Sequence, residues 1–309
     1  MVASVATSQS RGRWSRRDAR NLLKGILFIS PWIIGFCGLL LYPIYYTIKI
    51  SFTDYSGFGS ATWIGLDNYR FMLRDSMFWT AVYNTFYYTA LAVPLGVVVA
   101  LVLAIAMNQP VRESSVYRAI IYLPSIIPLF TLGFIMQILM SPTQGVFNRL
   151  FIWLGLPNIN WFGDPAYSKL ALVIIAQYGA GQAALIFLAG LKGIPKTLYE
   201  AAEIDGASSF RRFRNITLPM ITPVILYDII LGLSLGLQIF TLVYIVSGDP
   251  PGGPANSTMV YVLYLYLNGF RYGTMGYAAA LAWVLFVVTA ILSIFIFWSS
   301  SKWVNYDTQ

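Results

Sequence analysis

The residues that could do chemistry are few in this sequence of 309 residues. It contains no histidine and a single cysteine, Cys37. These counts exclude a histidine general base and a Cys/His metal site. Cys37 lies in an apolar run, so we expect a small buried hydrophobe there. No G-x-x-x-x-G-K-[ST] sequence occurs, and the chain therefore binds no nucleotide through a phosphate-binding loop of its own.

One charged segment interrupts the apolar second half of the chain. It runs from Glu200 to Pro223 and reads EAAEIDGASSFRRFRNITLPMITP. Pro195 can begin a helix, because its missing N–H is not needed in a first turn. Residues 196–205 then predict a short helix, and Gly206 follows at a position where a residue without Cβ is favoured. The segment is the closest grouping of acids in the chain.

A second short helix is predicted directly after this glycine. Ser208 is a suitable N-cap, and Phe210, Phe213 and Ile216 follow at roughly helical spacing. Exposed aromatic residues in a polar surrounding favour a protein contact. An amphipathic helix lying on anionic lipid explains the same pattern. The residues alone leave both interpretations open.

The composition around this insert is that of a membrane protein. Hydrophobic residues make up 58% of the chain and charged residues 10%, and the mean hydropathy is +0.67. A soluble domain carries about 25% charged residues. The net charge of +8 does not indicate nucleic acid, because the basic residues are segregated between apolar stretches instead of forming one face.

Six windows are long and apolar enough to span a bilayer, which requires about 20 residues. The predicted spans are 26–48, 83–106, 119–139, 170–191, 222–246 and 277–298. The first window begins after an Arg-rich stretch, as a signal peptide does, but its length and its two prolines favour a retained span. The fold class is therefore an all-α integral membrane protein with six transmembrane helices.

The distribution of Lys and Arg predicts the orientation. Fourteen of these residues fall on the side that carries both termini and the charged insert, and six fall on the other side. Basic residues favour the cytoplasmic side. We therefore expect a multi-pass protein of a bacterial-type cytoplasmic membrane with both termini and the insert in the cytoplasm. The outer loops 51–75, 153–168 and 247–258 have turn-rich compositions that suit either an external partner or plain connections.

The insert resembles a known sequence signature. Glu200-Ala201-Ala202, then Gly206, nine residues, and Ile216-x-Leu218-Pro219 are similar to the EAA signature of ABC importer permeases. The sequences IGLDNY in the first outer loop and GGPANST after the fifth predicted span resemble the carbohydrate-uptake branch, which handles binding-protein-dependent sugar transport. The resemblance covers about residues 20–300. It is closest to the first of the two permease types in oligosaccharide and glycerol-phosphate importers.

This resemblance implies a type I, MetI-like fold and a division of labour. The permease moves a sugar inward, and the EAA loop is a coupling helix that sits in a cleft of a separate cytoplasmic ATPase. The chain itself is then no enzyme and holds no cofactor, and ATP and Mg²⁺ belong to the ATPase. The implied partners are a second homologous permease, two ATPase copies, an extracytoplasmic sugar-binding protein and membrane lipid. The residues implied in coupling are Glu200, Ala201, Ala202, Asp205, Gly206, Phe210, Ile216, Leu218 and Pro219.

The same interpretation predicts a domain organisation. It comprises a cytoplasmic basic tail (1–21), the first transmembrane helix with its outer loop (22–78), a five-helix permease core (79–299) containing the coupling loop 192–218, and a cytoplasmic tail (300–309).

Polar residues within spans are costly and mark a candidate substrate pathway. The pathway candidates are Gln177, Tyr178, Gln182, Asp228, Gln238 and Tyr244. Tyr178 and Gln182 are four residues apart and share one face of a regular helix. Gln137 is a further candidate, and Asn84, near the outer end of its span, is better suited to a hydrogen bond between helices. Asp228, the only acid within a span, could reach the interface, pair with a partner chain or line a cavity.

Three other function classes explain part of the sequence. An ion-driven secondary transporter would show inverted repeats and more intramembrane charge. A membrane transferase would need acid, base or metal ligands. A scaffold protein would explain the insert but not the polar residues within the spans.

Overall fold

The computed structural model describes residues 16–306, and the chain is almost entirely helical in that range. The β-type pairing among these residues is one antiparallel bridge between Thr53 and Trp63. Most of the predicted basic tail, residues 1–15, and the final residues 307–309 lie outside the described range. The chain divides after Ile50 into two compact units.

Sixteen α-helices are present in the described residues. They are α1 Arg16–Gly35, α2 Tyr42–Ile50, α3 Asp67–Arg74, α4 Ser76–Met107, α5 Ser114–Tyr122, α6 Leu129–Leu139, α7 Val146–Trp153, α8 Pro165–Ala176, α9 Ala180–Gly193, α10 Lys196–Ile204, α11 Ser209–Arg212, α12 Leu218–Met220, α13 Thr222–Leu237, α14 Thr241–Val246, α15 Tyr261–Tyr266 and α16 Met275–Ser300. Short 3₁₀ segments cover Leu123–Ile126, Gln177–Gly179 and Pro254–Asn256, and π-helical segments cover Phe36–Leu41, Phe213–Thr217 and Leu267–Arg271.

The first unit is one long apolar rod. Helices α1 and α2 join through the π segment Phe36–Leu41, which ends shortly before Pro43. Proline lacks the N–H that would close an α-helical turn, and a wider turn accommodates the loss. Its most apolar window contains no buried residue, as expected for a helix covered by lipid. The prediction that Cys37 is buried is wrong: its side chain is exposed on this rod.

Four of the predicted spans lie within helices that are long and apolar enough to cross a membrane. These helices, within residues 16–306, are Ala19–Ile50, Ser76–Met107, Pro165–Gly193 and Met275–Ser300. The last three belong to the second unit.

The third predicted span, 119–139, is not one straight helix. The chain bends by 96° between Ser115–Ile126 and Leu129–Leu139. Ile127 has an extended backbone, with ψ of 125°, and Pro128 follows it. A residue before proline is pushed out of the helical region, which explains the break.

The fifth predicted span, 222–246, is also interrupted. Helix α13 ends at Leu237 and α14 begins at Thr241. A further bend of 63° separates α13 from the preceding segment Ser209–Met220. With each bent pair taken as one span, the described residues supply up to six spans.

Helix α4 is the centre of the second unit, where α8, α9 and α13 pack against it. Ala100 and Ala104 of α4 are fully buried, as is Ala184 of α9. Small side chains let helix backbones approach closely in a membrane. The crossing of α4 and α9 is therefore tight beneath the charged insert, where Ile216 and Tyr199 pack on the same cluster.

Candidate functional site

The charged insert folds as two short helices around a tight bend. Helix α10 covers Lys196–Ile204, with Pro195 as the residue before its first turn. Gly206 has a φ of +68°, the left-handed region that glycine adopts without strain. Its N–H donates to the Glu203 carbonyl at 3.0 Å, and the Ala207 N–H donates to the Ala202 carbonyl at 2.9 Å. This is the Schellman arrangement, and the predicted helix end at this glycine is confirmed.

Side-chain contacts brace the two helices across the bend. Ser208 accepts a hydrogen bond from the Arg211 N–H at 3.3 Å and so caps α11 as predicted. The Arg212 guanidinium pairs with the Glu203 carboxylate on the opposite helix. The Tyr199 and Thr217 hydroxyls lie 2.8 Å apart and join α10 to the end of the insert. The insert is therefore a braced protrusion.

The tip of this protrusion is apolar and exposed. Ile204 is 87% exposed and Phe210 is 72% exposed. Ala201 is also exposed on α10, whereas Ala202 is half-buried. The second predicted exposed aromatic, Phe213, is half-buried instead, at the start of the π segment Phe213–Thr217.

The remaining residues implied in coupling divide between tip and root. Glu200 and Asp205 are exposed, and among the described residues no hydrogen bond or ion pair engages either carboxylate. Ile216, Leu218 and Pro219 are half-buried at the root, where the chain enters α13. The signature thus combines a contact surface with its attachment.

A cavity of about 630 Å³ lies between the helices of the second unit. Its walls come from α4, the bend before α6, the junction of α8 and α9, and the end of α13. Four of the six pathway candidates line it, and they are Gln177, Gln182, Asp228 and Gln238. The lining contains polar residues that the sequence interpretation missed, namely Tyr88, Ser125 and Thr241.

Gln177 and Gln182 reach the cavity because the fourth span is not a regular helix. The 3₁₀ segment Gln177–Gly179 separates α8 from α9. Its tighter turn changes the register, so the prediction of one shared face for Tyr178 and Gln182 is wrong. Tyr178 is outside the cavity lining, whereas the Gln177 amide donates to the carbonyls of Val173 at 2.9 Å and Ala92 at 3.3 Å.

Asp228 lies on α13, and its half-buried side chain lines the cavity. Gly232 and Gly236 follow on the same face, one and two turns further along. Of the three possibilities for Asp228, a position on the cavity wall is the one seen within this chain.

Gln238 lies in the interruption between α13 and α14 and also lines the cavity. Tyr244 is one turn beyond Phe240 and outside the lining. Its ring contacts those of Phe240 and Tyr266, at centroid distances of 5.5 and 5.6 Å. Tyr244 therefore supports the wall through Phe240, which does line the cavity.

Asn84 and Gln137 both use their amide groups to bond backbone carbonyls of distant segments. The Asn84 amide donates to the carbonyls of Asn256 at 2.9 Å and Met259 at 3.0 Å, and so holds an outer loop against α4. Gln137 donates to the Ile245 carbonyl at 2.8 Å and joins α6 to α14. Neither residue lines the cavity.

Several apolar spans around a cavity whose wall contains a few polar side chains, together with a braced protrusion, define a membrane transport subunit. Residues 92–304 match the family described as the binding-protein-dependent transport system inner membrane component. The chain belongs to this family, and it is a multi-pass component of an ABC transport system.

Relatives and solved structures agree with this assignment. The chain is 37% identical to the probable ABC transporter permease protein YesP of Bacillus subtilis (strain 168), over 100% of this chain and 99% of the relative. It is 35% identical to the sulfoquinovosyl glycerol transport system permease protein SmoG of Agrobacterium fabrum (strain C58 / ATCC 33970), over 90% of each chain. Its fold resembles a bacterial alginate ABC transporter crystallised with an alginate pentasaccharide-bound periplasmic protein, with a TM-score of 0.82, 23% identity, and coverage of 92% of this chain and 96% of that one.

Proposed function

We propose that this chain is the permease subunit that carries a saccharide into the cytoplasm, driven by a separate ATPase that contacts the Glu200–Pro219 protrusion. The observation that carries the proposal is the path of α13. This helix starts directly after the protrusion, at Thr222, and its residues Asp228, Gly232 and Gly236 line the cavity. A 16-residue helix is about 24 Å long and is a stiff connection between the two sites.

The tip of the protrusion suits contact with a protein more than contact with lipid. Ile204 and Phe210 are exposed on either side of the Gly206 bend, and they form a compact knob with a polar surrounding. Buried apolar cores with polar rims are typical of protein interfaces. An ATPase that closes around ATP and Mg²⁺ would pull on this knob and tilt α13. The ATP chemistry then belongs to the partner.

A saccharide is the substrate class that the cavity and the relatives favour. Two amide side chains of the lining, Gln182 and Gln238, offer donors and acceptors to hydroxyl groups, whereas the Gln177 amide donates to backbone carbonyls. SmoG is a sulfoquinovosyl glycerol permease and the solved transporter handles alginate, so both concern sugar-containing molecules.

The same comparison and the charge pattern support the remaining partners and the orientation. The solved alginate transporter includes a periplasmic saccharide-binding protein, and we propose an extracytoplasmic sugar-binding protein for this chain. A second homologous permease would complete the cavity, with two ATPase copies below. The excess of Lys and Arg on one side supports a cytoplasmic position for both termini.

The test is affinity purification of the tagged chain from its native membrane, followed by counting of the partners with mass spectrometry. We expect one related permease and two copies of an ABC ATPase. The purified assembly is then placed in liposomes with its binding protein, and ATP-dependent saccharide uptake is measured. A chain that purifies alone, or uptake that follows an ion gradient without ATP, contradicts the proposal and favours a scaffold or an ion-driven transporter.

A further inference from the structure

The cavity wall contributed by this chain has one carboxylate and no basic side chain. Asp228 is the acid among the 25 lining residues, and none of them is lysine or arginine. The other polar groups are neutral amides and hydroxyls. The fixed charge of this wall is therefore of one sign.

No neighbouring group neutralises this charge. Within residues 16–306, the ion pairs are Arg70–Asp67, Arg212–Glu203 and Arg271–Asp249, and none involves Asp228. The residues one turn away along α13 are Val224 and Gly232, which carry no charge. An ionisable residue inside a membrane is costly and is retained where it serves a solute pathway.

The glycines that follow Asp228 on its face of α13 leave its electrostatic field unshielded towards the cavity. Gly232 and Gly236, on the same face of α13, carry no side chains and pack closely on Val93 and Thr89 of α4. Between Asp228 and the Gln238 amide, Leu235 is the one bulky side chain that α13 contributes to the cavity lining.

We propose that Asp228 makes this cavity a charge filter, which admits neutral and cationic solutes more readily than anionic ones. The filter extends the proposed function by assigning a preferred charge class to the transported saccharide. It rests on that proposed function, in which the saccharide passes through this cavity. Opposite charges about 8–10 Å apart interact appreciably at the effective dielectric constant of about 20 found in proteins. A cationic probe is then favoured over an anionic one of the same size by at least about tenfold.

The single native cysteine makes the filter measurable without knowledge of the substrate. Cys37 is replaced by serine, and Gln182→Cys places a thiol in the cavity wall. Two methanethiosulfonate reagents of similar size are compared, one with a trimethylammonium group and one with a sulfonate. In each case the thiolate attacks the sulfenyl sulfur, a disulfide forms and methanesulfinate leaves. The labelling rates of the purified assembly are divided by those of 2-mercaptoethanol, which removes intrinsic differences between the reagents.

We expect the cationic reagent to label this thiol at least about tenfold faster than the anionic one. Asp228→Asn should bring the ratio close to one, and Asp228→Glu, which keeps the charge, should preserve the preference. Ser60→Cys, in an exposed outer loop, is the matched control reporter, and its ratio should not respond to Asp228→Asn.

Three results would overturn the filter. They are a ratio near one in the chain with Asp228, a ratio that Asp228→Asn leaves unchanged, and a thiol that neither reagent reaches. The labelling needs neither ATP nor a sugar, so the filter can fail while ATP-driven saccharide uptake succeeds. A transporter that fails the uptake assay but passes the labelling assay would instead contradict the proposed function.

Discussion

Substitution of Gly206 is the most direct perturbation of the Glu200–Pro219 protrusion. The glycine has a φ of +68°, and a Cβ added there meets no atom within 4 Å. The cost of Gly206→Ala therefore comes from the left-handed backbone alone, which is about 1–2 kcal/mol for a residue with a Cβ. That cost lowers the equilibrium ratio of bent to unbent protrusion by a factor of about 5–30. The substitution introduces no strain into the membrane-spanning helices, so the protein should still insert and assemble.

A graded series separates backbone strain from other effects. Asparagine tolerates the left-handed region, whereas a β-branched residue does so least. We expect ATP-driven uptake to fall in the order glycine, Gly206→Asn, Gly206→Ala and Gly206→Val. Gly155 supplies the matched control, because it also has a positive φ, +75°, with open space around it, but lies in an outer loop. Gly155→Ala carries the same backbone cost outside the protrusion.

The assay is ATP-dependent uptake in proteoliposomes, with ATP hydrolysis measured in the same preparation. Strain at the bend should lower uptake per ATP hydrolysed, while the amount of assembled complex stays constant. Equal uptake by all Gly206 variants would refute the reasoning, as would an equal loss in Gly155→Ala.

Three further predictions concern the contacts that hold the protrusion and the cavity walls. Glu203→Arg should lower uptake slightly, because an exposed ion pair contributes about 0.2–1 kcal/mol. The double variant Glu203→Arg with Arg212→Glu should restore uptake. No recovery would show that this ion pair does not brace the bend. Asn84→Ala leaves the buried Met259 carbonyl without its side-chain donor, whereas the Asn256 carbonyl still accepts from the Met259 N–H at 3.1 Å. The variant should destabilise the protein by about 1–3 kcal/mol, seen as a lower Tm in thermal unfolding, and an unchanged Tm would contradict the clamp on the outer loop. Gly181→Ala places a Cβ 2.3 Å from the Ile121 carbonyl oxygen and should destabilise by about 1–3 kcal/mol, whereas Gly193→Ala meets no atom and should leave the Tm nearly unchanged.

Local sequence determined much of the protrusion. The order of Pro195, a short amphipathic stretch, Gly206 and Ser208 predicts a helix, a left-handed bend and a second helix, because capping chemistry involves neighbours along the chain. The brace between Glu203 and Arg212 was not predicted. It depends on the angle at which the two helices meet, and the spacing of these residues along the chain does not give that angle.

Hydropathy alone determined that the chain crosses a membrane several times. A charge-free run of about 20 residues has few conformations other than a helix in lipid, because its backbone must satisfy its own hydrogen bonds there. Hydropathy could not predict the interruptions at 127–128 and 238–240. Pro128 indicates a possible helix break at the first interruption, whereas no residue type indicates the break at 238–240.

Only the tertiary structure decided which polar residues of the spans meet. A helical spacing paired Tyr178 with Gln182, but the 3₁₀ segment turned Gln177 towards the cavity and left Tyr178 outside it. Asn84 and Asp228 are both isolated polar residues in apolar runs. One is bonded to backbone carbonyls and the other faces open space, and the difference lies in what the neighbouring helices place opposite each side chain. The sequence by itself determines where a polar group interrupts a span, and the packing of the helices around it determines whether that group is satisfied or left facing a solute.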